Sequence, residues 1–191
     1  MFSPNLVYDS AISSFFAILA ALHIHTMKKI FPFLALVVLL ASCTKTETKK
    51  YTITDVVITA EGPLFDGPNT MQANHIIDLN QLAPGFKADQ IESVKLNKAE
   101  IRSTDSLAFN NIRNFVLQLT SADAKMEKVG VLNPVPKNSP LVQILPAAEA
   151  EITDNFKQKD MIIILDADLE GDLDGNLSYT GNFEFEITYK K

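Results

Sequence analysis

Two stretches near the C-terminus alternate strictly between apolar and other residues, and they constrain the fold more than anything else in the chain. Met161, Ile163, Leu165, Ala167 and Leu169 alternate with Ile162, Ile164, Asp166, Asp168 and Glu170. Tyr179, Phe183, Phe185, Ile187 and Tyr189 alternate with Asn182, Glu184, Glu186 and Lys190. Successive side chains of a β-strand point to opposite faces, so period-two patterning predicts two strands with one buried face each. Between them lies Gly171 to Asn176, with an Asp174-Gly175 pair of the kind that turns a hairpin.

The same reading extends upstream. Tyr51 to Ala60 is rich in β-branched residues and predicts a first strand. Glu61-Gly62-Pro63, Asp66-Gly67-Pro68 and Ala83-Pro84-Gly85 are turn punctuation. Met71, Ala73, His75, Ile77 and Leu79 share one strand phase. Within Ile91 to Arg102 the apolar phase changes near Asn97-Lys98, which predicts a bulge or a turn. Further strands are expected around Phe115 to Leu119, Met126 to Leu132 and Leu141 to Leu145. Ser106 to Asn111 reads as one helical turn, and Thr153 or Asp154 as the cap of a short helix through Lys157. Short strands, little helix and Gly/Pro turns predict an all-β fold, an antiparallel β-sandwich of seven to eight strands over residues 51–191.

The N-terminal part follows a different logic. Met27-Lys28-Lys29 is a short basic region, Ile30 to Leu40 is apolar apart from Pro32, and Ala41-Ser42 supplies small residues before Cys43. That order is the plan of a secretory signal. The apolar run is too short to cross a bilayer core, which needs about 20 residues. Leu40-Ala41-Ser42-Cys43 resembles the lipobox of bacterial lipoproteins at all four positions. The resemblance covers residues 27–43. It implies transfer of diacylglycerol to the Cys43 sulfur, cleavage before Cys43 and acylation of the new amine. The competing reading is a core cysteine at the end of an apolar helix. In that family an Asp after the cysteine marks retention at the inner membrane. Thr44 stands there, so the resemblance leans toward the outer membrane of a Gram-negative envelope.

Residues 1–26 do not fit this plan. Ala11 to Ile24 is a second apolar run, preceded by Asp9 and no basic residue. We read residues 1–26 as a mis-assigned start or N-terminal extension, 27–42 as the signal peptide, and 43–50 as the lipidated cysteine with a polar tether. His23 and His25 fall in the first segment and are not expected to be ligands.

Composition removes several function classes. The chain carries a net charge of −6, and discarding the leader removes Lys28, Lys29 and Asp9, leaving a more acidic remainder. Nucleic-acid binding wants a basic surface, so no nucleic-acid partner is expected. Cys43 is the only cysteine, so no disulfide framework exists and the domain depends on its apolar core.

Three features have chemical potential. The acidic stretch Asp166, Asp168, Glu170, Asp172, Asp174 and Asn176 has the oxygen density of a calcium loop. The EF-hand pattern fails at its last position, where Leu177 replaces the bidentate Glu. The preferred reading is a solvated strand face running into a hairpin, with calcium or glycan binding as the alternative. His75, the only histidine after Cys43, sits on the apolar phase of its strand, as a hydrogen-bonded core histidine does. A Ser-His-Asp triad with His75 as base has no Gly-x-Ser-x-Gly elbow beside it. Carboxylate pairs for glycoside hydrolysis are not distinguishable by sequence. The chain has no Trp to stack on a sugar ring, and Tyr51, Phe65 and Phe86 are the aromatics off a clear core phase. There is no phosphate loop and no dinucleotide fingerprint.

The expectation is a membrane-anchored envelope lipoprotein with a non-catalytic interaction domain. Membrane lipid is engaged through Cys43, an envelope protein is the expected partner, and no cofactor, catalytic residue or metal ligand is assigned.

Overall fold

Eight antiparallel strands make up most of the computed structural model, which describes residues 45–105 and 107–191. They are β1 (Thr46–Ala60), β2 (Gly67–Ile76), β3 (Ile91–Arg102), β4 (Ile112–Ser121), β5 (Ala124–Leu132), β6 (Leu141–Pro146), β7 (Asp160–Leu169) and β8 (Leu177–Lys190). One short helix, α1 (Thr153–Phe156), and two single 3-10 turns complete it. Residues 1–44, with the leader, Cys43 and the 1–26 extension, lie outside the described residues, as does Ser106.

The pairing is nested: β1 with β8, β2 with β7, β3 with β6, and β4 with β5. Cross-links of β8 to β3 and of β7 to β4 give two four-stranded halves, β1-β8-β3-β6 and β2-β7-β4-β5. This is the strand order of a jelly roll. The sandwich expectation needs one correction. The halves join along both sides, so the sheet closes in the order β1-β2-β7-β4-β5-β6-β3-β8. The joints are thin: Thr59 opposite Gln72 between β1 and β2, and Gly130–Val131 opposite Pro146–Leu145 between β5 and β6. Closure thus rests on three residue pairs, and the rest of the facing edges of β1, β2, β5 and β6 lies outside these two ladders.

Both alternating stretches bury the faces they predict. Met161, Ile163, Leu165, Ala167 and Leu169 on β7 face the interior, as do Tyr179, Phe183, Phe185, Ile187 and Tyr189 on β8. The phase change in β3 is a register shift between Leu96 and Lys98 in its ladder with β8. Two aromatic groups fill the barrel. Tyr51, Phe156 and Phe185 stack edge to face with centroids 5.5 and 4.7 Å apart. Phe109, Phe115 and Tyr179 form the other group, 4.9–5.9 Å apart. Aromatic pairs in such geometry add about 0.5–1.5 kcal/mol each beyond the area they bury.

Three local expectations change. Strand β1 begins at Thr46, inside the stretch read as a tether. Thr46 to Lys50 pairs with Lys190 to Glu186, because the long β8 offers a ladder that this polar segment fills. Around Asp105 to Ile112 the chain makes successive i→i+3 turns, Ala108 to Asp105, Asn110 to Leu107 and Ile112 to Phe109. In α1, Thr153 is not the cap. Ile152 holds that position without a side-chain bond. The Thr153 hydroxyl accepts from the Val94 N–H at 3.1 Å and ties α1 to β3.

Candidate functional site

Strand direction gives the barrel two ends. The near end holds the start of β1 and the last residues of β8. The far end holds the end of β1, the start of β8 and the loops 61–66, 103–111, 133–140 and 170–176.

The acidic stretch lies at the far end, but it is not a hairpin. Strand β7 pairs with β2 and β4, and β8 pairs with β1 and β3, so residues 170–176 cross from one half of the barrel to the other. Gly175 does not adopt the positive φ that an Asp-Gly hairpin turn requires. The crossover is pinned instead by the β1–β2 loop. Leu64 and Leu173 exchange both backbone hydrogen bonds, at 2.8 and 2.9 Å. The Gly62 N–H donates to Asn176 Oδ1 at 2.9 Å. A Cβ at Gly62 would stand 2.5 Å from the Gly175 carbonyl oxygen, so this contact requires glycine.

Four of the five carboxylates of this stretch, all but Asp174, have protein donors. Asp166 accepts from the Thr70 hydroxyl (2.7 Å) and from Gln118 Nε2 (2.5 Å). Asp168 accepts from Arg113 Nη1 and Asn114 Nδ2, both at 2.8 Å. Arg113 also donates to Asp66 at 2.6 Å, and these two carboxylates hold its guanidinium above its ordinary pKa. Lys137 donates to Glu170 at 2.7 Å and to the carbonyls of Asn110 and Ile112. Asp172 accepts from the Asp66 N–H at 2.9 Å. Repulsion between Asp166 and Asp168 is therefore relieved by neighbouring strands, with no ion needed. Among the described residues no three His, Cys, Asp or Glu side chains are grouped so as to hold a metal. A calcium titration to millimolar concentration is expected to leave the melting temperature unchanged. A saturable rise, abolished by Asp166→Asn, would contradict this arrangement.

His75 occupies the near end. It is half-buried, and its Nε2 lies 3.3 Å from the Tyr51 hydroxyl. That hydroxyl accepts the Asp78 N–H at 2.9 Å, which leaves its own proton to point at Nε2. Burial raises the Tyr51 pKa and so keeps the phenol neutral. Burial also lowers the His75 pKa below its ordinary 6.5, so the neutral ring with its proton on Nδ1 fits this network. His75 shares a depression of about 400 Å³ with Ser121 and Asp160. The three triad residue types thus meet, but the Ser121 hydroxyl donates to the Asn155 carbonyl at 3.3 Å and no hydrogen bond joins His75 to either partner. His75 is thus hydrogen-bonded as expected but half-buried at the rim of the core rather than within it.

A pH dependence follows. Above about 6.5 the ring is neutral in both folded and unfolded chains and its contribution to stability is fully present. As pH falls through that value the unfolded chain takes up the proton first, and stability drops until the depressed folded pKa is reached. The urea midpoint should therefore fall between pH of about 7.5 and about 5.5 in the wild type. His75→Gln should flatten that step, and an unchanged slope in the variant would remove His75 as its cause.

Of the aromatics considered for sugar stacking, Tyr51 is in the core and Phe86 packs on Tyr189 with centroids 4.9 Å apart. Phe65, 63% exposed, is the one exposed aromatic among the described residues.

Sequence reasoning missed a second far-end feature. A depression of about 450 Å³ opens between the 103–111 turns and the crossover. Its apolar wall includes Leu107, Ala108, Ile112, Leu173, Leu177 and Tyr179, and Asp105 and Asn176 stand at its polar side. The buried Tyr179 phenol, its pKa pushed well up by that burial, donates to the Ala108 carbonyl at 3.0 Å and fixes the turn against β8. The only sequence signals were the apolar triplet Leu107-Ala108-Phe109 and the single Leu173 in an otherwise polar crossover.

No family model and no curated protein matches the chain. Similar solved structures include the infectious bursal disease virus Gx strain, at 14% identity and TM-score 0.37, covering 75% of this chain and 33% of that one. Desmodium yellow mottle tymovirus matches at 8% identity and TM-score 0.28, covering 77% and 90%. Mud crab tombus-like virus matches at 11% identity and TM-score 0.30, covering 81% and 96%. The chain spans about a third of the length of the first of these. All the TM-scores are low, and neither the fold assignment nor the function below rests on them.

Proposed function

We propose that this chain is an envelope lipoprotein, held on the membrane by acylated Cys43, whose β-barrel domain engages a protein partner and performs no chemistry of its own. The observation that carries the reading is the coincidence of Lys28-Lys29, the Ile30 to Leu40 apolar run and Leu40-Ala41-Ser42-Cys43 within seventeen residues of sequence, 27–43. Thr44 in place of Asp favours the outer membrane. Two residues separate Cys43 from the first strand residue, Thr46, a covalent reach of about 10 Å. Among the described residues no helix is long and apolar enough to cross a membrane.

Cells expressing the full chain test the anchor. The protein should sediment with membranes, stay there through high-salt and alkaline washes, and be released by detergent. Recovery in the soluble fraction, or release by salt alone, would overturn the reading.

A further inference from the structure

We infer that the far-end depression is the partner-binding site and that it takes an apolar side chain flanked by basic residues on a partner polypeptide. The inference names the surface and chemistry of the binding role proposed above, and it rests on that reading for the existence of a partner.

The first ground is the wall itself. Leu107 is 59% exposed at the mouth, although Phe109, two residues on, is fully buried. Leu173 faces it from the crossover and is half-buried. Below them Ile112, Leu177 and Tyr179 close the floor. An apolar hollow with a polar margin suits insertion of an anchoring side chain. The hollow is also built rather than loose. The Tyr179–Ala108 bond holds one wall, and the Leu64–Leu173 bridge and the Gly62–Asn176 bond hold the other.

The second ground is charge. Each of the three cations at this end is already paired: Arg102 with Asp55, Arg113 with Asp66 and Asp168, and Lys137 with Glu170. Four exposed carboxylates, Glu61, Asp105, Asp172 and Asp174, have no ion pair among the described residues. Asp105 lines the hollow. Asp172 and Asp174 are the chain neighbours of Leu173, which lines it from the crossover, and Glu61 stands in the β1–β2 loop at the same end. A cationic partner segment meets an unneutralised field here, whereas an acidic one is repelled.

The test is a titration of the full-length protein, in nanodiscs of zwitterionic lipid, with a fluorescent peptide Lys-Leu-Phe-Lys, empty nanodiscs serving as reference. The expected result is saturable binding that weakens about tenfold between about 0.05 and about 0.5 M salt. It should also weaken at least about fivefold in Leu107→Ser and in the double variant Asp105→Asn with Asp174→Asn. All three positions are exposed, so these variants fold. Peptides Lys-Ser-Ser-Lys and Glu-Leu-Phe-Glu should show no binding. Absence of saturable binding overturns the assignment, as does equal binding of Lys-Ser-Ser-Lys or an undiminished affinity in the variants. Membrane release with retained peptide binding removes the anchor alone, and the converse removes the site alone.

Discussion

Phe185→Ala is expected to cost about 3–5 kcal/mol, the range for a large aromatic removed from a packed core. Phe185 is fully buried at the middle of β8, opposite Tyr51 on β1 and Leu96 on β3. Its ring meets Phe156 at 4.7 Å, and Phe156 in turn meets Tyr51 at 5.5 Å. One substitution therefore removes the aromatic contact between β8 and α1 and opens a cavity in the middle of the core. No disulfide supports this domain, and single domains have only about 5–15 kcal/mol in hand. The loss should lower the melting temperature by about 10 °C or more. Glu186→Ala, one residue on and facing solvent, should move stability by no more than about 0.5 kcal/mol. Equal effects at the two positions would contradict the face assignment of β8.

Cys43→Ser is expected to abolish incorporation of labelled fatty acid completely and to leave the leader attached. The resemblance routes both steps through the sulfur: the thioether forms first and cleavage follows at the modified residue. A serine hydroxyl does not stand in for that thiolate nucleophile. The physical consequence is large. Each buried methylene contributes about 0.8 kcal/mol, so one chain holds a protein marginally while two or more hold it firmly. Without them the Ile30 to Leu40 run before the cysteine is well short of the roughly 20 residues needed to cross the hydrocarbon core. Label persisting in the variant would place the modification elsewhere and end the lipobox reading.

Legibility in the sequence followed how locally each feature is determined. Period two in β7 and β8 needs only neighbouring residues, and both faces came out as read. The bulge in β3 was visible at Asn97-Lys98 for the same reason. Pairing is not local. Nothing in Asp166 to Asn176 reveals that β7 and β8 belong to opposite halves, so an Asp-Gly pair suggested a hairpin where a crossover exists. The polar run at Thr46 to Lys50 resembled a tether because its stabilising partner, the last residues of β8, lies at the other end of the chain. The acidic stretch was read as solvated face or calcium loop. Its Thr70, Arg113, Asn114 and Gln118 donors come from β2 and β4, and spacing within one segment does not disclose them. The far-end hollow is assembled from two loops about sixty residues apart in sequence, 103–111 and 170–176, and so left no motif at all.

The most direct test of the account is the mass of the N-terminal peptide of the mature protein, purified from bacterial membranes and cut with a protease. The account predicts a peptide that begins at Cys43, with diacylglycerol on its sulfur and a fatty acyl group on its amine. A peptide that begins at Cys43 or elsewhere with a free thiol, or one that retains Met27 or Met1, would contradict the anchor on which the proposed function stands.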